Sequence, residues 1–236
     1  MRTLLKFQKG NAKLDKKIYT FSLPAGHSCP FANDCLSKSD RLTGKLTDGP
    51  NTQFRCFAAS AEAVYKNVRL ARWHNFDLLK KLTTDQAANL ILASLPKKAN
   101  IVRIHVSGDF FNESYFMAWL QVAKLKPEVL FYAYTKSLIY WVNYIKEIPG
   151  NLVLNASEGG KLDAQISEHG LKFAKVVYSP EQAQELGLLI DHTDEAAYKT
   201  KESFALLIHG QQPKGSKASQ SIKDLKARNI KYSYSN

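Results

Sequence analysis

Cys29, Cys35 and Cys56 are the only cysteines in 236 residues, and all three fall in one stretch rich in Gly, Pro, Asn and Asp. Thiolates are strong soft ligands, so three of them confined to one loop-like segment point to a shared metal or cluster. The competing reading is three unrelated buried thiols, since a free cysteine packs as a small hydrophobe. The spacing is C-x5-C-x20-C, within HSCPFANDC and QFRC. It lacks the closely spaced pairs that mark zinc fingers and ribbons. With His27 as a fourth ligand the thiolates would close a structural zinc site. Without a fourth protein ligand they would hold a [4Fe-4S] cluster with one open iron. His74 is a second possible metal ligand.

The elements around this segment alternate in type. Residues 17–23 read as a strand stopped by Pro24-Ala25-Gly26, and the cysteine segment follows at once. Helical patterns occupy roughly 57–95. Short strand-like runs then recur at 101–106, 129–135, 152–156, 173–178 and 204–208, with helical patterns at 113–124, 138–147, 161–169 and 180–185 between them. Strand-helix alternation implies parallel pairing through right-handed crossovers. The expected fold is α/β, a six-unit (βα)6 partial barrel with mainly parallel strands and its site at their C-terminal ends. A flat sheet with one wet face is the alternative. Residues 1–210 make a single domain with a cysteine loop at 24–57, and 211–236 read as a basic C-terminal arm carrying a short helix at 218–227.

Polar residues mark the predicted concave face. Arg103, His105 and Ser107 alternate with Val102, Ile104 and Val106, so they are expected to share a face. There a guanidinium could fix a carboxylate or phosphate and an imidazole could move a proton, which makes Arg103 and His105 the candidate catalytic pair. A core Arg or His satisfied by a hydrogen bond is the plainer reading of either alone. Tyr132, Tyr134, Thr135 and Lys136 end the third strand, Asn155, Ser157 and Glu158 the fourth, and His209 the sixth. Arg69, Arg72, Trp73, His74 and Asn75 read as a partly exposed amphipathic helix face. Walker, Gly-x-Gly-x-x-Gly and His-Glu-x-x-His motifs are absent, so nucleotide hydrolysis, dinucleotide binding and zincin proteolysis lack support.

The composition, 44% hydrophobic and 23% charged, fits one soluble domain. The chain shows no charged-then-apolar leader and no membrane-length apolar run, so a cytoplasmic protein with no membrane partner is expected. An odd cysteine count in that reducing compartment argues against a disulfide scaffold. The net charge of +12 sits at the ends: residues 1–17 and 211–236 each contribute +5. If the termini adjoin, they form a basic patch suited to nucleic acid. Dispersed lysines solvating flexible ends explain the same numbers.

A three-cysteine loop after the first strand of a six-unit barrel resembles the layout of radical S-adenosylmethionine enzymes. Ser107-Gly108-Asp109-Phe110 stands where their Gly-Gly-Glu-like motif meets the amino group of the cofactor's methionine moiety. The cysteine spacing is longer than the C-x3-C-x2-C usual in that group. The resemblance implies a [4Fe-4S] cluster on Cys29, Cys35 and Cys56, S-adenosylmethionine against Ser107, Gly108, Asp109, Asn155, Ser157 and His209, and a reductant such as flavodoxin or ferredoxin. Asn112 is the better cap for the following helix, leaving Asp109 with no local structural task. At closer range, LPAGHSCPFANDC, TDGPNTQFRCFAAS, RIHVSGDFF and FYAYTKS resemble the gene-product-eighty-eight family of phage proteins. That resemblance implies a phage or mobile-element origin, and the host cytoplasm as location. A zinc-stabilised DNA-binding or DNA-processing phage protein is the alternative function.

Overall fold

The computed structural model describes residues 3–10, 14 and 17–232. Arg2, Lys13, Asp15 and Lys16 of the N-terminal charge cluster, and Ser233, Tyr234 and Ser235, lie outside the described residues. The chain opens with β1 (Gln8–Lys9) and β2 (Ile18–Ser22), then a hairpin of β3 (Ser37–Ser39) and β4 (Leu46–Asp48) inside the cysteine segment. Three helices follow, α1 (Phe57–Val64), α2 (Lys66–Leu79) and α3 (Thr84–Ser94). Alternation then runs β5 (Ile101–Ser107), α4 (Glu113–Leu125), β6 (Leu130–Thr135), α5 (Leu138–Asn143), β7 (Leu152–Ser157), α6 (Ala164–Glu168) and β8 (Phe173–Val177). The last elements are α7 (Pro180–Glu185), β9 (Leu189–Ile190), α8 (Ala196–Lys199), β10 (Phe204–Leu207) and α9 (Lys217–Ala227).

The main sheet has the order β1-β2-β5-β6-β7-β8-β10-β9. Every pairing in it is parallel except β1 with β2. Its central strands therefore follow one another in chain order, as crossover connections on one face require. The sheet is open, with β1 and β9 at its edges, and among the described residues no pairing closes it into a barrel.

Period-two alternation separates its two faces. Phe21, Val102, Ile104, Phe131, Ala133 and Leu154 meet Ile91 of α3 and Trp119 of α4 in the largest apolar cluster. On the other face Ile18, Tyr132, Ala174 and Phe204 form a second cluster with Ala197 of α8. Tyr134 on β6 and Phe204 on β10 have ring centroids 6.1 Å apart. In a flat sheet three strand spacings would hold them about 14 Å apart, so the sheet curls towards this second face.

Caps fix where several helices start. Thr83 and Gln86 form a reciprocal capping box on α3, and Asn112 accepts from the Tyr115 N–H at the start of α4. The expected C-terminal arm is part of the packed structure: Ala218 and Leu225 of α9 are buried against Val177, Ala205 and Leu207. At the other end Lys6 pairs with Asn75 of α2 through its backbone N–H and carbonyl. The two basic segments thus attach at opposite edges of the strand order. No helix of the described residues is long and apolar enough to cross a membrane.

Candidate functional site

One cavity, with about 910 Å³ of non-atom space including its mouth, lies on the curled face at the C-terminal ends of the parallel strands. The cysteine segment roofs it, bringing Cys29, Cys35 and Cys56 to the same space. The strands supply Arg103, His105, Ser107, Gly108 and Asp109 from β5 and its following turn, Ser157 from β7, and His209 beyond β10. Asn155 is not among the lining residues. It is fully buried, and its Nδ2 donates to Ala133 O and Ala197 O, anchoring α8 beneath the strands. The two candidate histidine ligands also lie elsewhere. His27 Nε2 pairs with Ser39 O and its ring packs on Trp73, while His74 Nε2 pairs with Leu4 O.

The thiols are reduced and half-buried. Burial pushes the Cys29 pKa well up, with the charges of Asp109, Cys56 and Cys35 adding to the rise and the Gly26 N–H opposing it. Cys56 is pushed up to about 11, chiefly by burial, then by Cys35, against the N–H groups of Ala59 and Ala58. Thiols held protonated are poor nucleophiles, so Cys29 and Cys56 do not favour simple cysteine catalysis. Coordinated metal would displace those protons. A tetrahedral zinc requires sulfurs about 3.8 Å apart, given its usual bond length of about 2.3 Å. Among the described residues no group of three or more His, Cys, Asp or Glu side chains is placed to hold a metal ion.

Gly108 and Asp109 join the roof to the strands. Gly108 has φ +86°, and a Cβ there would lie 2.5 Å from Ser28 Oγ and 2.6 Å from Leu23 Cβ. Its missing side chain thus admits the cysteine segment itself. Asp109 has a structural task, contrary to the sequence expectation. Its Oδ1 accepts from the Phe110 N–H at 2.7 Å and Thr135 Oγ1 at 2.6 Å, and Oδ2 accepts from the Lys136 N–H at 2.8 Å. These bonds tie the end of β5 to that of β6. Lys136 extends the brace, since its Nζ donates to Ser157 O, Ser157 Oγ and Glu158 O at 2.6, 2.9 and 2.7 Å. A buried ammonium with all three protons used fixes the end of β7.

The predicted alternation fails within β5. Thr20 pairs with Arg103 but Ser22 with Ser107, so β5 carries extra residues there, and His105 takes φ +63°. This bulge turns the His105 ring towards Phe110 and Tyr115, where Nε2 meets Tyr115 Oη at 3.0 Å. Burial lowers its pKa to about 3. Arg103 keeps the expected face and forms an ion pair with Asp194 at 2.9 Å, while lying over the Tyr134 ring. Tyr132 and Tyr134 hydroxyls also donate to Asp194, at 2.7 and 2.9 Å. Of these residues Arg103 and Tyr134 line the cavity.

Two buried groups give opposite pH dependences. Burial raises the Asp109 pKa from 3.8 to about 6, so its contribution to stability is full below pH about 3.8 and is lost as pH rises through 6. His105, lowered from 6.5 to about 3, contributes fully above pH 6.5 and loses that contribution as pH falls towards 3. Asp109→Asn is therefore expected to leave stability rising more steeply with pH between 4 and 6 than in the parent, and His105→Asn to leave it falling. Urea unfolding across that range checks both slopes, and parallel profiles for all three proteins would contradict the assignment.

The family model of gene product 88 matches residues 3–228. The chain belongs to the gene product 88 family. Relatives include the gene 88 proteins of the mycobacteriophages L5 and D29, each 34% identical over 128 residues. Each match covers 50% of this chain and 47% of the relative, so the aligned region spans about half the length of either. No solved structure matches.

Beside the cysteine segment lies an ion pair that the sequence reading missed. Arg69 and Arg72 are buried rather than lining an exposed helix face. Glu62 of α1, also buried, accepts through Oε1 from Arg72 at 2.8 Å, the Ala25 N–H at 2.9 Å and Ser107 Oγ at 3.2 Å. One carboxylate oxygen thus joins α1, α2, the start of the cysteine segment and the end of β5. The Glu62-to-Arg72 spacing crosses a helix junction, so no helical periodicity announces the pair.

Proposed function

We propose that Cys29, Cys35 and Cys56 hold a [4Fe-4S] cluster and that this protein is a divergent radical S-adenosylmethionine-type enzyme. The observation that carries this reading is convergence. Three thiols, separated by up to 26 intervening residues in the chain, meet the Gly108-Asp109 turn in one cavity at the C-terminal ends of parallel strands. Consecutive parallel strands and a sheet that curls towards one face also support the finer description of the fold as an open (βα)6 partial barrel. A four-iron cluster places each thiolate on its own iron, so it takes thiols set farther apart than a single zinc does.

Two features of the cysteine segment support the reading. Cys29 Sγ already accepts from the Gly26 N–H at 3.3 Å, and Cys56 stands at the N-terminus of α1, where backbone N–H groups favour a thiolate. Such a cluster would supply one-electron reduction of the sulfonium of S-adenosylmethionine, drawing on a donor such as flavodoxin or ferredoxin. The chain's own part is positioning. Asp109 presents a carboxylate edge to the cofactor's ammonium group, braced by Thr135 and Lys136. Ser157 offers a hydroxyl oriented by the Lys136 ammonium. Arg103, held by Asp194 and Tyr134, faces the substrate side. His105 acts in this account by shaping β5, with its ring turned into the aromatic cluster.

Anaerobic purification from iron-supplemented cells, followed by iron, sulfide and zinc analysis, tests the reading. About four irons and four sulfides per chain are expected, as for a [4Fe-4S] protein, with both lost in Cys35→Ser. Stoichiometric zinc, or iron content unchanged by Cys35→Ser, would overturn it.

A further inference from the structure

The segment after β10 is fastened to the chain on both sides of Cys56. The Gln212 side chain forms a two-way amide pair with Arg55, the residue before that cysteine: Oε1 accepts from the Arg55 N–H at 2.8 Å and Nε2 donates to Arg55 O at 3.0 Å. Nε2 also donates to His209 O at 3.0 Å, which folds the segment on itself. On the other side, Ser60 Oγ of α1 donates to Gln211 O at 3.3 Å, and the His209 ring packs on Phe57 with centroids 4.8 Å apart. Gly210, at φ +81°, approaches so closely that a Cβ would lie 2.9 Å from Phe57 Cβ. Residues 209–212 therefore bridge the last parallel strand to the start of α1.

Cys56 differs here from its companions. Cys29 is held within its own turn by Gly26, whereas Cys56 stands 21 residues after Cys35, beyond the β3–β4 hairpin. Its own backbone N–H makes a bond of 3.3 Å to Ser37 Oγ. Besides the Arg55–Asp48 ion pair and the Arg72 bond to Ala58 O, its neighbours on both sides are contacted by a segment more than 150 residues further along the chain.

We propose that Gln212 is a positioning residue for the third thiol, and that the 209–212 segment is a clasp holding Cys56 at the cavity. The clasp acts on the thiol through Arg55 and α1, whatever the cavity binds. Opening it is expected to release Cys56 alone, leaving Cys29 and Cys35 in place.

Residue-resolved alkylation tests this. The full-length chain, reduced and kept metal-free with chelator, is treated with N-ethylmaleimide, and the rate at each cysteine is read by mass spectrometry. Gln212→Met keeps the side-chain length and removes the amide pair. The two hydrogen bonds to Arg55, each about 0.5–1.5 kcal/mol, correspond to alkylation of Cys56 about 5- to 160-fold faster, with Cys29 and Cys35 little changed. Gly210→Ala, which pushes the clasp away by contact with Phe57, should show the same selectivity and carries the test if Gln212→Met does not fold. Gln211→Ala is the control, since only its backbone carbonyl is used. Equal acceleration at all three thiols, or none at Cys56, would overturn the inference. The readout needs no iron, so failure of the iron–sulfur reading and failure of the clasp are separate results.

Discussion

Arg72→Met is expected to lower the unfolding free energy by about 3–5 kcal/mol, the cost of leaving one member of a buried ion pair without its partner. The Arg72 and Glu62 side chains are 9% and 0% exposed, so water does not replace the lost charge. The same substitution removes the bond from Arg72 Nη1 to Ala58 O at 2.9 Å, just inside α1. Because Glu62 Oε1 also holds the Ala25 N–H and Ser107 Oγ, the disturbance reaches the cysteine segment and the cavity wall. Pairing the change with Glu62→Gln removes both charges and should restore much of the loss, as pairwise coupling requires. Urea unfolding of the two single variants and the double variant measures this. An Arg72→Met protein within about 1 kcal/mol of the parent, the range of an exposed pair, would contradict the buried network.

Gly108→Ala should be nearly as damaging, by a different route. The new Cβ meets Ser28 Oγ and Leu23 Cβ at 2.5 and 2.6 Å, and Leu23 Cβ is fixed to the backbone, so the segment beside Cys29 must move. Strain at φ +86° and overpacking each cost about 1–3 kcal/mol, hence about 2–6 kcal/mol together. Gly150→Ala is the natural comparison, because a Cβ there meets nothing within 4 Å. It should change stability by less than about 0.5 kcal/mol. Should Gly108→Ala prove as stable as Gly150→Ala, the close approach of the cysteine segment to the end of β5 is wrong.

The strands were legible in the sequence because β-branched and aromatic runs such as Ile101–Val106 and Leu130–Thr135 stand between helical patterns. Chain order then gave the parallel pairing. β3 and β4 were not legible: Ser-Lys-Ser and Leu-Thr-Asp carry no apolar alternation, and their pairing depends on the tertiary contact of the hairpin with α1. The cysteines declared themselves by confinement to one segment. The orientation of His105 did not, because a histidine at φ +63° leaves no glycine to mark the bulge. Asn155 was misplaced for a related reason, since the α8 segment that occupies its side chain is short and carries no periodic signal. The structural task of Asp109 arises from Thr135 and Lys136, more than 25 residues away, a distance at which local capping rules are silent.

The proposed activity requires that the three thiols carry an iron–sulfur cluster that S-adenosylmethionine reaches. Electron paramagnetic resonance of the anaerobically purified, reduced protein, recorded with and without S-adenosylmethionine, tests that most directly. The expected result is a reduced [4Fe-4S] signal whose shape changes when the compound is added, and which Cys56→Ser abolishes. A cluster signal indifferent to S-adenosylmethionine, or a reduced protein with no such signal, would contradict it.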